Sequence, residues 1–178
     1  MKPFDHQPEL IGKSLWLRPL RPDEFESLYA VAGDPAIWAL HPDPTRFQRQ
    51  VFERFFIQAV LHGSLAVVDR ATNSIVGSSR YYNVTSATSE VSIGFTFLAR
   101  SHWGGRANGE MKALMIKHAF QTFERVWLHI GPENHRSRRA AEKIGAVFSH
   151  IGPVEIYGNT SEEAWYKIDS AHWESNRI

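Results

Sequence analysis

The sequence predicts an α/β fold, a mixed sheet with helices on both faces. Three observations predict it. Apolar residues recur alternately at period two and near period 3.6, which gives the order β-α-α-β-β-β-α-β-α-β-β. A strand from Glu90 to Phe97 runs through a glycine-bearing turn straight into an amphipathic helix. Finally, 43% hydrophobic and 22% charged residues mark a globular chain, and 178 residues suit one domain spanning 1–178.

Taken in order, Leu15 to Leu20 alternates and predicts the first strand. Pro22 opens a helix with Phe25, Leu28, Tyr29 and Ala32 inward, and Gly33 ends it. Pro35, Pro42 and Pro44 make residues 34 to 45 an irregular connection. Thr45 is expected to cap a second helix, with Phe47, Val51, Phe55, Phe56 and Val60 inward and Gly63 at its end. Leu65 to Val68 and Ile75 to Asn83 form a hairpin about the turn Ala71 to Ser74. Val91, Ile93, Phe95 and Phe97 then share one face of the central strand. The helix after it carries the stripe Ala107, Met111, Leu114, Met115 and Ala119. Val126, Leu128 and Ile130 mark the next strand, stopped by Gly131-Pro132. Asn134 caps a helix through Ile144, with Gly145 past its end, and Ala146 to Ile151 and Ala164 to Ile168 complete the sheet.

Composition narrows the function. The absence of cysteine excludes disulfides, thiolate metal sites and a cysteine nucleophile, and points to the cytoplasm. A net charge of +1 and a pI near 8.1 give no nucleic-acid footprint. The opening MKPFDHQPEL lacks the apolar core of a signal peptide, and no apolar run reaches membrane length.

The stretch Arg100 to Phe120 carries the chemistry. A helix N-terminus presents unpaired N–H groups and about half a positive charge, so it attracts phosphate. Gly104 and Gly105 in the turn set no Cβ in a ligand's way. A phosphorylated ligand is therefore expected there. The chain has no G-x-G-x-x-G followed by an acidic residue about 20 positions on, and no G-K-[ST] loop, so dinucleotide and nucleoside-triphosphate sites are disfavoured.

Two motifs, VSIGFTFLARSHWGG…NGEMK and VWLHIGPENHRSRRAAEKIGA, resemble those of the GNAT superfamily of acyl-CoA N-acyltransferases. The similarity is greatest to the branch containing the ribosomal-protein N-terminal acetyltransferases, and it covers nearly the whole chain. It implies a mostly antiparallel sheet of six to seven strands, about four helices and splayed central strands. It also implies acetyl-CoA as co-substrate, no metal, and a primary amine as acceptor. By that resemblance the pyrophosphate meets Trp103, Gly104, Gly105, Arg106, Ala107, Asn108 and Gly109, and the pantetheine runs beside Phe97 and Leu98. Arg106 stands where the family usually has glycine, and Asn108 either caps the helix or faces phosphate.

Direct transfer needs a neutral amine, a held carbonyl and protonation of the departing thiolate. The family often places a glutamate where this chain has Ser92; Glu90, two residues earlier on the same face, is the candidate base. His129 is a second candidate, read also as a hydrogen-bonded structural histidine. Many relatives carry a tyrosine acid where this chain has Ala141. The ribosomal-protein branch implies a serine instead, matched by Ser137, with Asn134 one helical turn away to fix the arm. Arg106, Lys112, Arg136, Arg138 and Arg139 form a candidate cradle for the CoA charges, Arg139 foremost. Trp38, Phe52, Phe55, Phe56, Tyr81 and Tyr82 supply aromatic surface for an acceptor cleft, or simply core.

The reading is thus an N-acetyltransferase working without membrane or nucleic acid, with a homodimer left open. A non-catalytic acyl-CoA-binding module is the alternative, because the usual glutamate and tyrosine are missing. An RNA-associated role rests on the arginine cluster alone.

Overall fold

The computed structural model describes residues 3–173, so the expected domain 1–178 is seen without its first two and last five residues. Eight strands form one sheet in the order β1-β2-β3-β4-β5-β6-β8-β7. The strands are β1 (Leu10–Ile11), β2 (Leu15–Pro19), β3 (Leu65–Asp69), β4 (Ser74–Thr85), β5 (Glu90–Leu98), β6 (Arg125–Ile130), β7 (Val147–Ile156) and β8 (Asn159–Asp169). The helices are α1 (Phe25–Ala32), α2 (Pro35–Trp38), α3 (Arg49–Leu61), α4 (Ala107–Ala119) and α5 (His135–Lys143). Every neighbouring pair is antiparallel except β5 with β6.

Two apolar clusters sandwich the sheet. One packs Met111, Met115 and Ile116 of α4 and Ala141 of α5 against Leu15, Leu17, Val67, Val91, Ile93 and Leu128. The other packs Leu28 of α1, Trp38 of α2, and Phe52 and Phe56 of α3 against Ala66, Val68 and Phe97. The helices therefore lie on both faces, as the alternating periodicity predicts. Among the described residues no helix is long and apolar enough to cross a membrane.

Several local expectations are corrected. Strand β1 was too short to read from its pattern; it exists because it pairs with Leu17 and Trp16 of β2. Residues 34 to 45 are not wholly irregular, since Asp34 accepts from the Ala36 amide and caps the turn α2. Thr45 caps nothing: it donates to Asp43, and α3 starts later, behind Gln48. The alternating face of β5 breaks at Phe95. Arg80 pairs with Gly94 and Ser78 with Phe97, so Phe95 and Thr96 oppose Ser79 alone. This bulge flips the phase. Val91, Ile93 and Leu98 face α4, whereas Phe97 faces α1 and α3. Phe95 itself sits at φ 53°, a left-handed conformation that a bulky side chain adopts only when its surroundings impose it.

Candidate active site

The ladder between β5 and β6 holds only from Glu90↔Arg125 to Ser92↔Trp127. Beyond it the strands diverge, and the bulge at Phe95 lies just past the point of divergence. The far end of β5 leads through Trp103 to Gly104, at φ 69°, and into α4. The backbone N–H groups of residues 104 to 109 have no acceptor among the described residues; the first amide to find one is that of Glu110, on the Arg106 carbonyl. Gly104, Gly105 and Arg106 are exposed. Six amides at a helix N-terminus are a ready seat for a diphosphate.

The opening is shaped by three contacts. The Trp103 indole donates to the Leu98 carbonyl at 2.9 Å and carries the Arg136 guanidinium 4.0 Å over its ring. Arg136 also donates to the Ile37 carbonyl, so it ties α5 to α2 across the mouth. At the start of α5, the Asn134 side chain accepts from the Ser137 amide at 3.1 Å, the cap that the sequence predicts. Ser137 is half-buried, one turn from Asn134. Gly145 follows that helix at φ 89°, as its position implies.

Other candidates are placed differently. Phe97 and Leu98 are buried, one in each cluster, so their side chains are taken up by core packing. Lys112 is not part of a phosphate cradle; it is buried, donates to the Thr96 hydroxyl at 2.7 Å, and burial pushes its pKa down to about 7. Arg138 is committed to the Tyr166 hydroxyl and the Pro132 carbonyl. Arg106 and Arg139 are exposed. Glu90 binds Arg125 at 3.2 Å and accepts from Thr88, at the closed end of the strand pair. It stands five residues before Phe95, roughly 16 Å along the strand. Trp38, Phe52, Phe56 and Tyr81 are core, Phe55 is half-buried against Trp38 and Phe97, and Tyr82, also buried, bonds across to His129 on β6.

Tyr82 belongs to a group that the sequence did not bring together. Its hydroxyl lies 2.7 Å from Nδ1 of His129, reaching from β4 over β5 to β6. The reach is open because Gly94 lies between: a Cβ there would stand 2.8 Å from the Tyr82 ring. Burial raises the Tyr82 pKa and lowers that of His129 to about 4, so both are neutral at physiological pH. Nε2 of His129 is buried without a partner among the described residues, and the Trp165 ring packs 4.1 Å from the imidazole. On β8, Glu163 points to the same face, two residues from Trp165. Burial raises its carboxyl pKa, and its charge is felt at Tyr82. A carboxylate held partly out of water beside a cleft is a typical general base. Its place two residues before Trp165 on β8, which pairs with His129, brings it here.

Divergent parallel strands, a bulge and a helix with free amides meet at one end of β5. Comparisons with known proteins bear on this arrangement. The sequence profile described as "Acetyltransferase (GNAT) domain" matches residues 14–147. A GCN5-related N-acetyltransferase from Brucella melitensis superposes with a TM-score of 0.80 at 22% identity, covering 96% of this chain and 82% of that one. RimJ of Mycobacterium smegmatis, solved with CoA-disulfide, gives 0.69 at 19% identity, covering 98% and 93%. Ribosomal-protein-S5-alanine acetyltransferase from Vibrio fischeri gives 0.67 at 15% identity, covering 94% and 99%. At these identities the likeness bears on the fold. No curated protein matches the sequence. The profile spans most of the chain and its boundaries enclose the divergence, the free amides and the start of α5: this protein belongs to the GNAT family of acetyltransferases.

Proposed function

We propose that this protein moves an acetyl group from acetyl-CoA directly to a primary amine, on a protein N-terminus or a small molecule, in the cytoplasm. The observation that carries the reading is the run of six unpaired amides leading away from the strand divergence. The pyrophosphate is seated on residues 104 to 109, with Arg106 and Arg139 beside it and the arm passing the backbone of Phe97 and Leu98. The thioester then lies at the bulge. Backbone N–H groups there polarise its carbonyl, and the amine attacks from the face of Tyr82 and His129.

An α-amine has a pKa near 7.7–8.0, so about a tenth is already neutral at pH 7. Glu163, with its raised pKa, accepts the proton released on attack; Glu90, ion-paired with Arg125, takes no part. Ser137 donates a hydrogen bond to the departing thiolate, and Asn134 holds the turn that presents it. Every bond is accounted for: N–C forms, C–S breaks, the amine proton goes to Glu163, and the thiolate, held by the Ser137 hydroxyl, takes its proton from solvent.

The test is release of free CoA thiol from acetyl-CoA with a panel of amines and N-terminal peptides, beside calorimetric binding of acetyl-CoA. Turnover with at least one amine supports the reading. Binding without turnover would instead favour a non-catalytic acyl-CoA module, and loss of binding altogether would remove both.

A further inference from the structure

Arg80 of β4 is an exception among the arginines. It is 2% exposed. Arg18 pairs with Glu24, and Arg125 pairs with Glu90 and Asp169. Arg80 has no carboxylate partner among the described residues. Of its five N–H donors, one on Nη1 meets the Gln58 carbonyl at 3.1 Å, and Nε is buried with no acceptor among the described residues. A buried cation of this kind is costly to leave uncompensated. Burial lowers the Arg80 pKa and Arg46 adds a second positive charge; aromatic neighbours offset this in part, but no carboxylate does among the described residues.

The geometry shows what is missing. The guanidinium carbon lies 3.5 Å from the centre of the Phe95 ring, so it touches the bulge residue beside the acyl site. Its Cα pairs with Gly94, and Tyr82 stands two residues along the same strand. Tyr157 covers it from outside at 5.1 Å, from the tip of the β7–β8 hairpin, where Tyr157 and Gly158 both have positive φ. Tyr157 is 47% exposed, stacks on His62 at 3.7 Å, and lines an open cavity of about 410 Å³ shared with Tyr82. The two rings lie 6.4 Å apart and meet the guanidinium on adjoining sides, and its Nε and Nη2 donors, without an acceptor among the described residues, offer the two-pronged geometry that suits a carboxylate.

Resting on the proposed amine transfer, we infer that Arg80 anchors a carboxylate of the acceptor, which enters by the cavity at Tyr157 and carries its amine a few bonds from that carboxylate. The acceptor is then an amino acid, or a chain whose second residue is acidic.

Matched acceptors test this: phenylalanine against phenethylamine for the free amino acid, and tripeptides differing only as Asp or Asn at the second position for the chain. The readouts are CoA release and calorimetry of each compound on the CoA-bound enzyme. The wild-type protein should prefer one carboxylated member at least tenfold in kcat/KM or affinity, and the pair that shows it identifies the source. Arg80→Gln should bring that ratio to about one, chiefly through KM, and Arg80→Lys should leave an intermediate ratio. Equal treatment of both members of both pairs by the wild-type protein overturns the inference, as does an equal loss for both members in a folded variant. If no amine is turned over, the transfer reading fails, and carboxylate affinity by calorimetry still decides the role of Arg80. Should Arg80→Gln fail to fold, the ratio for Arg80→Lys carries the test.

Discussion

Replacing His129 with glutamine isolates the cost of burying a neutral imidazole behind β5. The imidazole titrates near 6.5 in an unfolded chain and at about 4 here, because burial and, secondarily, His150 oppose its charged form. A lowered folded pKa means that the unfolded chain binds the extra proton first. Stability is therefore complete above about pH 6.5 and falls as the pH drops toward 4. In that window the loss approaches about 1.4 kcal/mol per pH unit, or about 2 kcal/mol between pH 6.5 and 5. Glutamine keeps a polar atom for Tyr82 and removes the titration. His41, also held near 4 by burial, and Glu163 act in both proteins and cancel in the difference. Urea unfolding, followed by tryptophan fluorescence at several pH values, measures each slope. The wild-type protein should lose about 2 kcal/mol more than His129→Gln over this range. Parallel curves would refute the claim that His129 is kept neutral by the fold.

Lys112→Met replaces a buried amine whose pKa is lowered to about 7. Wild-type stability should climb as the pH rises from about 7 toward 10, the range where the unfolded chain holds the extra proton. The variant should lack that climb and melt higher at pH 7; equal profiles would contradict it. Gly77→Ala sets a Cβ against the Phe97 carbonyl and 2.8 Å from a Leu98 methyl, so roughly 3 kcal/mol is lost, seen as a Tm lower by about 6–12 °C. Gly105→Val meets nothing in the folded protein and should leave Tm unchanged while weakening CoA binding at least tenfold, as calorimetry would show. Ser137→Ala should lower turnover more than acetyl-CoA affinity, and Glu163→Gln should lower kcat/KM by about 10²–10⁴-fold near neutral pH. Wild-type kinetics in either variant would strike that residue from the proposed machinery.

Local chemistry made much of this protein legible from its sequence. Glycine at residues 104 and 145, and asparagine at residue 134, act within one turn of themselves, so their positions announced the turn into α4, the helix end and the cap. The helix stripes showed because 3.6-residue periodicity is a property of the segment alone. Even so, α4 buries Lys112 and Ile116 where the stripe suggested Ala107 and Leu114. Lysine is ordinarily a surface residue, and only the Thr96 hydroxyl opposite makes this one tolerable.

What tertiary structure alone decided shares one physical cause: it depends on which strands become neighbours. The phase reversal at Phe95 exists only relative to β4, because a bulge is a mismatch between two strands. Tyr82 and His129 are 47 residues apart and meet because Gly94 passes between them. Glu163 reaches the same face because β8 inserts between β6 and β7, out of chain order. Arg80 looked like any strand residue until Phe95 and Tyr157 closed over it. Sequence determined the elements and the glycine turn into α4; pairing between distant strands determined which side chains line the divergence.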